Sequence, residues 1–311
     1  MTENASAAPP RVRLGYVLRA AFVVSAALLL LLPPALGAAF MVSLIASPCD
    51  GGFDPAQVDL PFEDVDFPSS EFDRPTPAYF IPADPAAAPA NGATVIIAPT
   101  GAARRGDRIG SILAYHRAGL HVLSYNSRIC VGGAVNTLGD READQVGDAL
   151  AYLAARADVD AARIGVHGFS AGGAAAILAA ARFDGVRAVV SEGGYEDFPA
   201  QVDASAPANL GVLSPLFRFG AQTAYRLGTG SDWSRLSPIS VIASIAPRPV
   251  LLVYGTTEYA LAGAQRMRAV SHAELHLVEG ASHGNYLDLG AESETYAVRI
   301  TTFMRSALLS G

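Results

Sequence analysis

Short apolar runs that alternate with helical segments are the feature that most limits the fold of this chain. Seven runs are assigned to strands, at residues 62–67, 93–99, 121–125, 163–168, 187–192, 249–255 and 274–280, and the last six of them are apolar. Runs this apolar are typical of strands that are covered on both faces. Strands that alternate with helices predict a mostly parallel sheet with right-handed crossovers. The clearest helix precedes the fourth run and carries apolar residues at helical spacing: Ala143, Val146, Leu150 and Leu153.

A single serine stands between glycines at the junction of the fourth run and an alanine-rich helix. The junction is "GFSAG", with Ser170 at its centre. Gly168 and Gly172 remove the side chains that would collide in a tight turn from strand to helix, so the motif matches the G-x-S-x-G nucleophile elbow. The following helix N-terminus would stabilise an oxyanion through the Ala171 N–H. The alternative is a serine N-cap in an ordinary glycine-rich turn.

A serine hydroxyl is a weak nucleophile without a base, which directs attention to the six histidines. His283 lies in the glycine-flanked loop "VEGASHGNY" directly after the last run. Loops at the carboxyl ends of parallel strands are where an open sheet builds its site, so His283 is the predicted base. The other five are expected to pack in the core or on the surface: His116, His121, His167, His272 and His276.

Two glutamates are candidates for the acid that would orient His283. Glu258 follows the run 249–255 by three residues, in "GTTEY". A carboxylate at this place would accept the imidazole N–H, fix its tautomer and stabilise the imidazolium. Glu192, at the end of the preceding strand, is the rival. We favour Glu258, because Glu192 leads directly into the long segment before the next strand.

The N-terminal segment, residues 1–48, has the character of a membrane or export signal. Arginines at positions 11, 13 and 19 are followed by residues 20–47, which carry no charge. About 20 apolar residues suffice to span a bilayer, and arginines before the span favour a cytoplasmic N-terminus and an exported body. An uncleaved anchor is favoured because the apolar character continues beyond Pro33 and Pro34, a pair that disfavours a buried core helix. A signal peptide cleaved near residues 37–39 is the alternative.

Composition argues against nucleic acid as the main partner and does not decide whether the two cysteines form a disulfide. All 22 basic residues are arginine, against 29 acids, and the net charge of −7 argues against nucleic-acid binding as the main task. Only Cys49 and Cys130 are present. They would pair in an oxidising compartment and remain buried thiols in a reducing one. We expect residues 49–60 to form a tether between the N-terminal segment and the domain at residues 61–311.

From about residue 60 to residue 309 the chain resembles the α/β-hydrolase superfamily. It is most similar to bacterial dienelactone-hydrolase-like or acyl-CoA-thioesterase-like members that carry an N-terminal hydrophobic segment. The resemblance rests on "LPFEDVDFPS", "GFSAGG", "LSPISVIASIAPRPVLLVYGTTE" and "VEGASHGNY". It implies an eight-stranded, mostly parallel sheet with helices on both faces and a small cap after the sixth strand.

The resemblance also assigns roles to individual residues. It implies Ser170 as nucleophile, His283 as base and Glu258 at a position usually held by aspartate. The oxyanion hole would use the backbone N–H groups of Ala171 and Ala102.

Three positions depart from the family pattern, one of them the glutamate in place of aspartate. Thr100 replaces the usual histidine before the oxyanion loop. Asn126 replaces an acid in the "YNSRICVGG" stretch, where Arg128 is kept.

Together these observations predict a serine hydrolase that cleaves carboxylic esters or thioesters through an acyl-enzyme, without metal or organic cofactor. Its partners would be a small-molecule substrate and, through the N-terminal segment, a membrane. An acyltransferase with the same triad and a catalytically silent binding protein are the alternatives. Apolar side chains of the cap would either line an acyl pocket or pack its helices: Leu213, Leu216, Phe217, Phe219, Tyr225 and Trp233.

Overall fold

Eight strands form one sheet in the computed structural model, which describes residues 14–49, 51–88, 91–286 and 291–309. The strands are β1 (Glu63–Phe67), β2 (Thr76–Ile81), β3 (Thr94–Ala98), β4 (His121–Tyr125), β5 (Ile164–Phe169), β6 (Ala188–Glu192), β7 (Val250–Gly255) and β8 (Glu274–Val278). They lie in the order β1-β2-β4-β3-β5-β6-β7-β8. Only the pairs β1–β2 and β2–β4 are antiparallel. The predicted mostly parallel, eight-stranded architecture is thereby confirmed.

Helices connect the strands and precede the sheet. They are α1 (Leu14–Ile45), α2 (Ile109–Arg117), α3 (Arg128–Gly132), α4 (Asp140–Ala154), α5 (Ala171–Arg182), α6 (Phe198–Ser205), α7 (Ser214–Thr229), α8 (Pro238–Val241), α9 (Leu261–Ala269) and α10 (Ala291–Leu309). Short 3-10 helices occupy Pro55–Val58, Ala208–Leu213, Trp233–Arg235 and Ile242–Ile245. The predicted cap after β6 corresponds to α6, the 3-10 helix Ala208–Leu213 and α7.

Alternate residues of the central strands supply two separate cores, one on each face of the sheet. Ile96 and Val166 point to the face covered by α4 and α5, where they pack against Val146 and Ile177. The neighbouring Val95 and its counterparts point to the opposite face, which α2 and α10 cover. This period-two division is what a doubly covered parallel strand requires, and it explains why the runs are continuously apolar.

Strand β2 is absent from the seven runs that periodicity identifies, although the resemblance implies eight strands. Its sequence, "TPAYFI", contains Pro77, which normally argues against a strand inside a sheet. Its carbonyl oxygen accepts a hydrogen bond from the Asn126 N–H at 2.9 Å. The N–H that Pro77 lacks would face the Asn126 carbonyl oxygen, which instead accepts a hydrogen bond from the Gln145 Nε2 at 2.9 Å. The proline is therefore tolerated because the acceptor opposite it has another donor.

Helix α1 is one continuous element that passes through Pro33 and Pro34. It is the one helix among the described residues that is long and apolar enough to cross a membrane, with a mean hydropathy of 2.3 in its best window. Its side chains are almost all exposed up to Leu32 and then follow a buried stripe at every fourth position: Pro33, Gly37, Met41 and Ile45. The second part of the helix thus packs against protein. Anchor and cleaved signal stay predictions, as do the boundaries at residues 48 and 60.

The buried stripe of α1 packs against the cap helix α7 at backbone contact distance. A Cβ on Gly37 would lie 1.9 Å from the Phe217 carbonyl oxygen, and a Cβ on Gly220 would lie 1.9 Å from that of Pro34. Glycine is therefore required at both contacts, as in close helix pairs elsewhere. Phe217, Tyr225 and Trp233 of the cap are buried in the same apolar cluster: Met41, Ile45, Leu138, Ala174, Tyr195, Phe198, Val202, Phe217, Ala221, Tyr225, Trp233 and Leu236.

The two cysteines are joined by a disulfide bond. Cys49 lies just beyond the end of α1, and Cys130 lies in α3, directly after β4. The pairing that the sequence left open is therefore present in the structure. It fastens the end of the N-terminal helix to the side of the sheet that carries β4.

We expect Gly37→Ala to destabilise the full-length protein in detergent by about 1–3 kcal/mol, because the added methyl overpacks a backbone contact. The measurement is thermal unfolding followed by circular dichroism. Gly15→Ala is the matched control on the same helix, since a Cβ there meets nothing within 4 Å. Equal melting temperatures for the two variants would contradict the packing of α1 on α7.

Candidate active site

Ser170 occupies the turn between β5 and α5 in a strained backbone conformation. Its φ of 56° and ψ of −123° lie in a region that non-glycine residues rarely adopt. The turn is compact enough that a Cβ on Gly168 would lie 2.1 Å from the Gly172 carbonyl oxygen. A Cβ on Gly172 would lie 2.6 Å from the Ala98 carbonyl oxygen of β3. The glycines of "GFSAG" are thus explained by close backbone approach, and the elbow interpretation fits better than an N-cap, since Ser170 makes no side-chain cap hydrogen bond.

Two hydrogen bonds connect His283 to its neighbours, one to Ser170 and one to Glu258. The Nε2 atom of His283 is 3.1 Å from the Ser170 Oγ, and its Nδ1 atom is 2.6 Å from the Glu258 Oε1. The three residues follow β5, β7 and β8 at the same edge of the sheet, which is why residues so far apart in sequence meet. His283 remains 28% exposed, whereas the Glu258 carboxylate is buried.

The carboxylate of Glu258 has a hydrogen-bond partner at both oxygens. Oε1 faces His283, while Oε2 accepts the Gly255 N–H at 3.0 Å and the hydroxyl of Tyr286. Burial, together with this contact to Glu258, raises the pKa of Tyr286, so the phenol stays protonated and remains a donor. A carboxylate held in this way keeps its orientation toward the imidazole.

Aromatic rings and a glycine shape the space around His283. The ring centroids of Phe169 and Tyr259 lie 4.7 Å and 5.3 Å from that of the imidazole. Gly193 has a φ of 56°, and a Cβ there would lie 2.5 Å from the Glu258 Oε1. Any side chain at position 193 would therefore separate the acid from the histidine.

The two predicted oxyanion donors lie at the ends of neighbouring strands. Ala98 of β3 pairs with Gly168 of β5, so the loop after Ala98 and the elbow emerge side by side. Ala171 is the first residue of α5, whose initial N–H groups have no partner within the helix. In the other loop, the Ala103 N–H donates to the Thr100 carbonyl at 2.8 Å. Ala102, one residue earlier, has no hydrogen bond from its N–H among those of the described residues.

Glu192, the rival acid, is held in a different group of side chains. Its carboxylate contacts Arg108 at 2.7 Å, His167 at 2.9 Å and the hydroxyl of Tyr296. We call these four residues the Glu192 cluster. Burial alone would raise the pKa of Glu192, but the nearby charges of His167 and Arg108 lower it to about 2. The structure therefore pairs His283 with Glu258 and leaves Glu192 ionised beneath the site.

The Glu192 cluster supports the site from below. The backbone carbonyl of Glu192 accepts the Ser170 N–H at 2.8 Å. The Arg108 guanidinium lies 4.6 Å from the ring centroid of Phe169, the ring that packs on His283. Sequence reasoning missed the contributions of Arg108, Tyr286 and Tyr296. Of these, only Tyr286 lay inside a quoted motif, as the last residue of "VEGASHGNY".

Most of the remaining histidines pack as expected. The Nδ1 of His116 lies 2.7 Å from the Pro82 carbonyl oxygen, and that of His121 accepts the Ala83 N–H at 3.0 Å. His272 is exposed. His167 differs from the expectation of plain packing, because it takes part in the Glu192 cluster.

The loop after β3, which contains Ala102, is hydrogen-bonded to the stretch that contains Asn126. The side-chain oxygen of Asn126 accepts the Arg105 N–H at 2.8 Å. The Ser127 hydroxyl donates to the Gly101 carbonyl at 2.6 Å. Arg128 is buried and paired with Glu71. Among the described residues, no group of three or more His, Cys, Asp or Glu side chains is placed to hold a metal ion.

Comparisons with known proteins identify the fold and support a serine hydrolase. An esterase from Pyrococcus furiosus matches with a TM-score of 0.60 at 18% identity, over 84% of this chain and 99% of the esterase. An α/β hydrolase from Penicillium matches at 0.59 and 18%, over 80% and 100% of the two chains. An acylaminoacyl peptidase from Pyrococcus horikoshii matches at 0.58 and 16%, over 80% of this chain and 42% of the peptidase. The chain therefore has the α/β-hydrolase fold.

The sequence profile of the prolyl oligopeptidase family matches residues 134–288. That range contains Ser170, Glu258 and His283. No match was found among curated proteins.

We expect Glu192→Gln to lower the free energy of unfolding at neutral pH by about 3–5 kcal/mol, because it leaves the Arg108 charge buried without its partner. The folded pKa of Glu192 is depressed, so its stabilising effect is present above the unfolded value near 4.5 and is lost as the pH falls toward 2. The difference between wild type and variant should therefore shrink over this range.

Urea unfolding of the full chain in detergent at several pH values measures this difference. Glu279→Gln, at an exposed position, is the control. A difference that stays constant down to pH 2 would contradict the assignment of an ionised Glu192.

Proposed function

We propose that the protein is a serine hydrolase that cleaves carboxylic esters or thioesters with Ser170, His283 and Glu258 as its catalytic triad. The observation that carries this proposal is the unbroken series of hydrogen bonds from Glu258 through His283 to Ser170, at 2.6 Å and 3.1 Å. The strained elbow at Ser170 is a second support, since such strain gathers at functional sites.

The reaction follows from the position of each group. His283 takes the proton of the Ser170 hydroxyl as the oxygen attacks the carbonyl carbon of the substrate. The resulting oxyanion is stabilised by the N–H groups of Ala171 and Ala102, and His283 then returns the proton to the departing alcohol or thiol. Water attacks the acyl-enzyme with the same base and releases the acid and free Ser170.

Glu258 orients the base and stabilises its charge. Its Oε1 faces the Nδ1–H of His283, which leaves Nε2 free to accept the proton of Ser170. Tyr286 and the Gly255 N–H hold the second oxygen in place. Tyr286 is therefore a positioning residue that acts through Glu258.

The ester class is supported by the resemblance to dienelactone hydrolases and acyl-CoA thioesterases and by the apolar character of the cap. A second candidate is cleavage of peptide bonds, which the match to the prolyl oligopeptidase profile over residues 134–288 favours. Both reactions use the same triad and differ in the leaving group. Matched p-nitrophenyl esters and aminoacyl p-nitroanilides distinguish them.

We further propose that the catalytic domain lies outside the cytoplasm, held by α1 as an uncleaved anchor. The arginines before the apolar helix favour a cytoplasmic N-terminus. The disulfide between Cys49 and Cys130 supports the same topology, because such bonds persist in oxidising compartments.

We expect a fluorophosphonate probe to label the full-length protein in detergent and to leave Ser170→Ala unlabelled. Hydrolysis of p-nitrophenyl butyrate should fall by a factor on the order of 10⁶ in Ser170→Ala, because the nucleophile is lost. Ser244→Ala, at an exposed position outside the site, is the control. Labelling or turnover of Ser170→Ala at the level of the control would refute the assignment, and faster turnover of anilides than of esters would favour the peptidase.

The identity of the acid is tested by two glutamine variants. We expect Glu258→Gln to lower turnover by about 10³ to 10⁴, because the orienting carboxylate assists without taking part in bond formation. Glu192→Gln, corrected for the fraction folded, should stay within about tenfold of wild type, or roughly 1.4 kcal/mol in barrier height. The opposite ranking of the two variants would move the acid to Glu192.

A further inference from the structure

The first part of α1 is long enough to cross the hydrocarbon core of a bilayer. Residues 14–32 precede the buried stripe, and nearly every described side chain in this part is exposed. At 1.5 Å per residue they span roughly 28 Å, close to the thickness of a hydrocarbon core. The remaining part of the helix, from Pro33 to Ile45, is packed against the cap. The end of the exposed part therefore marks where the bilayer surface would meet the domain.

The cap helix α7 runs in the same direction as α1. Successive contacts pair Pro34 with Gly220 and Ile45 with Gly228. Since the residue numbers increase together, the N-terminal end of α7 points toward the exposed part of α1. Helix α7 begins six residues before Gly220, which places its first residue roughly 9 Å closer to the bilayer than the contact at Pro34.

The segment that leads into α7 is apolar and exposed. We call residues 206–213 the cap tip; they include the 3-10 helix Ala208–Leu213, which contacts α1. No charged residue occurs between Asp203 and Arg218, and these two form an ion pair at the base of the cap tip. Val212 is 94% exposed. The cap tip thus extends the exposed apolar surface of α1, and a contiguous apolar surface of this kind is typical of a membrane or partner contact.

We propose that the cap tip enters the same bilayer as α1, and that the hydrolase acts on acyl esters drawn from that bilayer. The first part rests on the packing of α1 on α7, on the exposed cap tip and on the proposed insertion of α1 in a bilayer. The second part rests on the proposed function and names its substrate class as membrane-resident acyl esters. The Asp203–Arg218 ion pair would lie at the level of the polar headgroups.

Apolar packing continues from the cap tip to the elbow. Leu210 of the cap tip packs against the cluster that holds Phe217, Val202 and Tyr195. The same cluster includes Ala174, four residues beyond Ser170 on α5. One apolar cluster therefore lies between the cap tip and the helix that begins next to Ser170.

The test for the surface is depth-dependent fluorescence quenching of the full chain reconstituted in phosphatidylcholine vesicles. Val212→Trp reports on the cap tip, and Leu227→Trp reports on an exposed position (81%) near the other end of α7. Phe22→Trp, in the exposed part of α1, is the positive control. The native Trp233, which is buried, also fluoresces, and its contribution is measured with the wild-type protein.

Lipids brominated on their acyl chains should quench Trp at positions 22 and 212 at least twofold more than Trp at position 227. Equal quenching at 212 and 227 would overturn the proposed surface. An unquenched Trp at position 22 would overturn it as well, because α1 would then not enter the bilayer.

The test for the substrate compares two esters. Wild type should hydrolyse 4-methylumbelliferyl oleate in vesicles and p-nitrophenyl butyrate in solution, and Val212→Asp should lower the ratio of the first rate to the second by about tenfold or more. Leu227→Asp should leave the ratio as it is. Hydrolysis of the soluble ester alone would overturn the substrate class and leave the proposed function standing. Absence of both activities, with quenching at position 212 as expected, would overturn the proposed function and leave the surface standing.

Discussion

The hydrogen bond from the Ser170 amide to the Glu192 carbonyl holds a strained turn in place, and the rest of the candidate site is arranged around it. A backbone with φ of 56° at a serine persists only where its surroundings over-determine it. Here β5 pairs with β3 and β6 on either side, and the glycines at 168 and 172 allow α5 to begin against the end of β3. The energy that holds the turn therefore comes from the sheet, and the side chain of Ser170 remains available for its contact with His283.

Charge is distributed unevenly around this turn. One glutamate, Glu258, faces the imidazole and accepts hydrogen bonds from neutral donors, whereas the other, Glu192, is paired with the Arg108 guanidinium and contacts His167. Both carboxylates are buried, yet only one is directed at a group whose charge changes in the proposed reaction. The two acids that look alike in sequence thus have separate tasks.

The local patterns of the sequence predicted most of the sheet and the position of Ser170, because strand runs and the elbow are encoded by neighbouring residues. Contacts between distant residues were not accessible in this way. Arg108 and Glu192 are 84 positions apart, and Tyr296 lies 104 positions from the same glutamate. Local sequence could not decide between Glu258 and Glu192, because Glu192 ends β6, Glu258 follows the neighbouring β7, and only their side-chain partners separate them. Nothing in the sequence around Gly220 marks it, because the need for glycine there comes from the close approach of the Pro34 carbonyl oxygen.

The disulfide closes the chain into a ring across 81 positions, from the end of α1 to the helix after β4. That ring contains the first four strands, including both antiparallel pairs, β1–β2 and β2–β4, at one margin of the sheet. In the chain-entropy description, a ring of this size disfavours the unfolded state by about 4.5 kcal/mol. A copy that stays in a reducing cytosol lacks this contribution. The covalent link thus makes the stability of the fold depend on the redox state of the compartment in which the chain folds.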